Sequence, residues 1–169
     1  MGIWRVVAGI NKTGKAVIQY DAEATNVTQA TNNIKTTLLW VTDQAPTNNE
    51  GNEDSANQEI GIPPPPMGSI FRIVEFTPEG SDGGSDEYKY LSSVGAEENE
   101  CVRHPGMHKT NSIDYAIIMS GEIDMLVDDD EVHLKAGDVI VQRGNNHAWA
   151  NRGTNPYSIK FILIDSDPV

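Results

Sequence analysis

Between Ile113 and Asp165 a turn signal interrupts the chain every few residues, and no apolar run persists at helical spacing. Ile113 to Met119, Glu122 to Val127, Val132 to Leu134, Asp138 to Gln142, His147 to Asn151 and Ser158 to Asp165 read as strands. Ser120-Gly121, Asp128-Asp129-Asp130, Lys135-Ala136-Gly137 and the loop Arg143 to Asn146 separate them. Short apolar runs bounded by Gly, Asp, Asn and Ser specify antiparallel strands closed into a sandwich or barrel. The 15 Gly and nine Pro carry this punctuation through the chain, and 169 residues suit a single domain around one core.

The first hundred residues carry the same signal more loosely. Ile3 to Ala8 and Ala16 to Tyr20 flank the turn Asn11-Lys12-Thr13-Gly14 and predict a hairpin. Residues 36–42 and 69–77 read as further strands. Two long segments, 43–66 and 78–87, are polar or Pro/Gly-rich and read as loops, with Pro63 to Pro66 a stiff connector. The acidic triplet at 128–130 lacks the alternating carboxylates and central Gly of a calcium loop and reads as a solvated hairpin tip.

The formal net charge of −13 opposes contact with phosphate backbones and anionic membranes, so neither nucleic acid nor membrane is an expected partner. No run is long enough to span a bilayer. Cys101 is the only cysteine, so no intramolecular disulfide forms. With no signal-peptide pattern at the N-terminus, the expected compartment is the cytoplasm.

Chemistry concentrates between His108 and Asn151. Residues two apart on a strand share a face. His108 therefore points with Thr110, and His147 with Trp149 and Asn151. Asp114 shares its row with Ala116 and Ile118, a small apolar wall, while Tyr115 faces the other way. A carboxylate on such a wall is desolvated and needs a metal, an imidazolium or hydrogen-bond donors. His104 and His133 read as surface groups, Trp4 and Trp40 as core or dimer contacts, and Arg143 as a surface arginine.

These residues resemble the motifs of the cupin superfamily. The first family motif contains H-x-H-x3,4-E-x6-G; here His108 matches its first His, Thr110 stands at the second His, Asp114 at the Glu and Gly121 at the closing Gly. Gly137, His147 and Asn151 match the second motif, with Arg143 and Asn145 standing where the family has Pro and Gly. The likeness covers residues 102–165. It implies one domain over 1–169, with N-terminal strands and loops over 1–100. It also implies a double-stranded β-helix, or jelly-roll, barrel of two facing sheets with an N-terminal hairpin extension, and a homodimer. It implies a divalent metal (Fe, Zn, Mn or Ni) on His108, Asp114 and His147, which are also the expected catalytic residues, with Thr110, Trp149 and Asn151 contacting substrate.

The expected activity is that of a small-molecule lyase or isomerase, such as a dehydratase or decarboxylase, in which a metal polarises an oxygen and a base moves a proton. Without metal, His147 or His108 becomes the acid/base, oriented by Asp114. Two alternatives are a non-haem iron dioxygenase using the same two-His, one-carboxylate set and a non-catalytic barrel that binds a small ligand.

Overall fold

The computed structural model describes residues 2–79, 90, 91, 93, 94 and 103–168. Cys101 and most of the 78–87 loop lie outside the described residues. Among the described residues eleven strands follow one another: β1 (Trp4–Ile10), β2 (Ala16–Glu23), β3 (Val27–Gln29), β4 (Ile34–Thr42), β5 (Ser69–Phe76), β6 (Ser112–Ser120), β7 (Glu122–Leu126), β8 (Glu131–Lys135), β9 (Val139–Arg143), β10 (Ala148–Ala150) and β11 (Tyr157–Asp165). Every pairing between them is antiparallel.

A six-stranded sheet runs β3-β4-β5-β11-β6-β9 and a three-stranded sheet runs β10-β7-β8. One core joins them: Ile70, Val74, Ile118 and Ile159 come from the larger sheet, and Ile123, Met125, Leu134 and Trp149 from the smaller. The larger sheet draws strands from both halves of the chain, so the N-terminal strands and the motif-bearing strands build the same wall.

A bulge in β4 lets that wall serve two sides. Ile34 and Leu38 face the core; the register then shifts between Leu38 and Trp40, and Val41 takes over the inward side. An extra residue in one strand reverses the alternation beyond it. Leu39 faces outward, where it packs with Ala24 and Ile73 and against Ile3 and Phe71, beside the β1–β2 hairpin. Arg5 fastens that hairpin, pairing through both guanidinium nitrogens with the Asp54 carboxylate and donating to Leu39 O at 2.9 Å.

The turn after β6 is close-packed. Gly121 has φ +73°, and a Cβ there would lie 2.7 Å from Cβ of Tyr157, so backbone conformation and space both require glycine. Of the core and dimer readings of Trp4, the core one does not hold: the side chain is 68% exposed, with its indole N–H donated to Asp21 at 2.7 Å. Strand β3, absent from the sequence reading, is a three-residue edge carried by β4.

Candidate functional site

Strands β6 and β10, with the segments carrying His108 and His147, bring His108, Thr110, Asp114, His147 and Trp149 to one barrel cavity. His108 and His147 exchange both backbone hydrogen bonds, N to O at 2.9 Å in each direction. This bridge sets their rings side by side, with centroids 4.4 Å apart and planes 52° apart. Asp114 is buried on the inward row of β6 with Ala116 and Ile118, as the alternation predicts. All three side chains line the cavity with Thr110 and Trp149.

The tautomers follow from the partners. Nδ1 of His108 lies 2.8 Å from Gly106 O, and Nδ1 of His147 lies 3.0 Å from Asn145 O. A carbonyl only accepts, so each Nδ1 carries the proton and each Nε2 keeps a lone pair. Burial holds both rings neutral: it pushes His108 down, and it pushes His147 down to about 3, with His108 as the second cause.

Asp114 goes the other way. Desolvation raises its pKa, against the lowering effect of the Ser112 hydroxyl and of Arg72. Ser112 Oγ donates to Asp114 Oδ1 at 2.6 Å, and Thr110 Oγ1 lies 2.8 Å from Ser112 Oγ. Because a hydroxyl has one proton and Ser112 spends its own on Asp114, Thr110 is the donor in the second bond. This relay fixes Oδ1 and leaves Oδ2 as the oxygen presented to a ligand.

Two neutral imidazoles whose Nδ1–H groups are held by backbone carbonyls are oriented as metal ligands commonly are. The third expected ligand does not join them. Among the described residues no group of three or more His, Cys, Asp or Glu side chains could hold a metal ion. Asp114 is one methylene shorter than the Glu of the family motif, and its Oδ1 is engaged by Ser112. His108 and His147 alone are what this arrangement offers a metal, so no step below is routed through one.

Sequence reasoning missed Arg72. It alternates on β5 with Ile70, Val74 and Phe76, the inward row, and that row was the available signal. Arg72 is 7% exposed and lines the cavity beside Tyr90. Its Nη2 donates to Gly61 O at 3.1 Å and Ile62 O at 2.7 Å.

Asn151 stands apart from the site expected for it. Its amide donates to Asn155 O at 3.0 Å and Phe76 O at 3.4 Å, and its Oδ1 accepts from Gly153 N at 3.1 Å. It lines a different pocket, with Thr31 and Thr77, and braces the turn between β10 and β11. His104 is also corrected. It is not a surface group: its side chain is 9% exposed, Nδ1 accepts from Gly106 N at 3.0 Å, and Nε2 lies 3.3 Å from Glu79 Oε1. His133 is on the surface, 2.7 Å from Asp124 Oδ1.

Residues 94–164, which contain this imidazole pair and carboxyl, match the Cupin_2 family, described as a cupin domain. The family likeness is to this part of the chain. Phomopsin biosynthesis cluster protein C' of Diaporthe leptostromiformis is 35% identical over 106 residues, 62% of this chain and 44% of that protein. The chain thus spans under half the length of that relative. Two relatives align along nearly the whole chain. The cupin-domain-containing oxidoreductase virC of Hypocrea virens is 27% identical over 172 residues, 98% of this chain and 77% of that protein. The cupin-domain-containing oxidoreductase srdD of Neurospora crassa is 28% identical over 174 residues, 99% and 77% of the two chains. Among the described residues no helix is long and apolar enough to cross a membrane.

Proposed function

We propose that this chain is a small-molecule enzyme of lyase or isomerase type, a dehydratase or decarboxylase, in which Asp114 moves the proton. The observation that supports it is the single cavity lined by an uptitrated carboxyl, two neutral imidazoles and a buried guanidinium. A general base works best when its pKa approaches the working pH, and desolvation moves Asp114 in that direction. His147, pushed down to about 3, is too weak a base for that role; its Nε2 lone pair instead accepts a hydrogen bond from a substrate hydroxyl. Arg72 supplies a positive charge that favours an anionic substrate in the cavity. Thr110 and Ser112 keep Oδ1 fixed so that Oδ2 meets the substrate. Trp149 shapes the apolar wall.

The test is turnover of β-hydroxy and β-keto carboxylic acids under nitrogen. Turnover is expected to persist without dioxygen and to fall at least about 100-fold in Asp114→Asn, the usual scale of a lost general base. A strict dioxygen requirement would replace this reading with oxidation.

That oxidative reading has its own support in two relatives named oxidoreductases and in the two Nε2 lone pairs. A divalent metal on His108 and His147 would bring Lewis-acid or redox chemistry to the cavity. Elemental analysis beside turnover separates the readings: the lyase needs no iron, and the oxidative enzyme loses activity with its metal.

A further inference from the structure

We propose that Arg72 anchors the carboxylate of a small monocarboxylic acid, whose apolar body lies against Trp149 and Phe161 with its reactive carbon toward Asp114. This deepens the reading above and rests on its claim that the barrel takes a small-molecule substrate. Arg72 lies where two cavities meet. The barrel cavity and an outer one, lined by Asn26, Thr28 and Gln58, share Arg72, Tyr90 and Thr36. A molecule passing from the outer cavity to the imidazoles therefore passes the guanidinium.

A buried cation needs a compensating charge. Among the described residues Arg72 forms no ion pair with a carboxylate. Asp114 acts on the guanidinium through space but does not pair with it. Arg72 is opposite Phe161, and Asp114 is opposite Leu163, so strand β11 stands between them. Two strand spacings separate their backbones by about 10 Å.

The segment at residues 61–62 occupies only Nη2. Among the described residues Nε and Nη1 have no acceptor, so their N–H groups are open to a ligand, and hydrogen bonds from a guanidinium to a carboxylate are among the stronger ones in proteins. The rest of the wall selects for a single charge. Neutral imidazoles and aromatic faces offer a second anionic group no counter-charge, whereas an apolar chain gains by leaving water. The separation of Arg72 from Asp114 leaves room for a short acid whose carboxylate sits at one end and whose reactive carbon lies a few bonds away.

The experiment is calorimetric binding at pH 7 with two matched pairs: butyrate with butyramide, and 3-phenylpropionate with 3-phenylpropanamide. The wild-type chain is expected to bind at least one acid about tenfold or more tighter than its amide. Arg72→Gln is expected to bring that ratio to about one, and Arg72→Lys to keep part of it. If Arg72→Gln does not fold, the wild-type ratio and the lysine variant still decide. Equal affinity for acid and amide, no binding of any probe, or a full acid preference in a folded Arg72→Gln protein would each overturn the assignment. Acid-selective binding without turnover of any acid would leave Arg72 assigned and remove the lyase reading.

Discussion

Gln142 shows what a buried side chain costs when it has nothing to bond. It is 2% exposed, lies opposite Asp114 on β9, and among the described residues neither amide atom has a hydrogen-bond partner. Leaving such a group unsatisfied costs about 1–3 kcal/mol. Gln142→Met, of similar shape, is expected to raise stability by about 1 kcal/mol in urea denaturation; a loss of that size would mean the amide is bonded in solution. The residue scale is also where the sequence was most and least legible. Strand alternation was enough to put Asp114, Ala116 and Ile118 on one face and Tyr115 on the other, because parity on an uninterrupted strand is purely geometric; which face is inward came from the fold. The same rule applied to β5 places Arg72 with Ile70 and Val74, but a lone arginine in an apolar strand does not announce a cavity. Asn151 misled because it matches a motif and shares strand parity with His147. Its amide is spent on the backbone, which only the path of the following turn reveals.

At the scale of elements, the β1–β2 hairpin hangs on few contacts. Its inner face meets a small cluster around Leu39 and Ile73, and the Arg5–Asp54 pair, with Tyr20 Oη donating to Asn52 O at 2.8 Å and Gln19 Nε2 to Gly51 O at 3.3 Å, holds it to the 43–58 segment. The Arg5 guanidinium, first through its hydrogen bonds, holds the Asp54 carboxyl below the ordinary aspartate range. Arg5→Ala removes those bonds and the one to Leu39 O, and is expected to cost about 1–3 kcal/mol. Amide hydrogen exchange in residues 4–23 should speed up while β5, β6 and β11 stay protected; uniform acceleration would show that the hairpin is integral to the core. The hairpin itself was readable from its turn, whose Asn11 Oδ1 accepts the amides of Thr13 and Lys15. The β4 bulge was not readable, because an unbroken apolar run such as Leu38-Leu39-Trp40-Val41 carries no mark of where parity changes. Nor was β3, whose three residues are all exposed, bury no apolar face and exist as a strand only through pairing.

For the whole molecule, the all-β class and the strand sequence from β6 to β11 were legible because each strand is bounded by its own turn chemistry. The partition into a six-stranded and a three-stranded sheet depends on long-range pairing that turns do not encode. Stability should depend on pH in a way set by the buried site. In the unfolded chain His147 protonates near pH 6.5; in the fold it stays neutral to about 3. The unfolded state thus binds the extra proton as pH falls below 6.5, and stability drops through the window from 6.5 toward 3, by up to about 1.4 kcal/mol per pH unit. Asp114 acts with the opposite sign: its raised pKa lets the fold keep a proton the unfolded chain releases, which offsets part of the loss as pH falls toward 4. Denaturation of the metal-free protein at pH 7, 6, 5 and 4 checks this, and a His147→Gln variant should show a flatter profile. The most direct test of the buried pair at the centre of this account is nitrogen-15 NMR of histidine-labelled protein titrated from pH 8 to pH 5. The account predicts that His108 and His147 both keep the neutral form with the proton on Nδ1, and that His147 shows no titration. An imidazole at position 147 that titrates near 6.5, or one carrying its proton on Nε2, would contradict it.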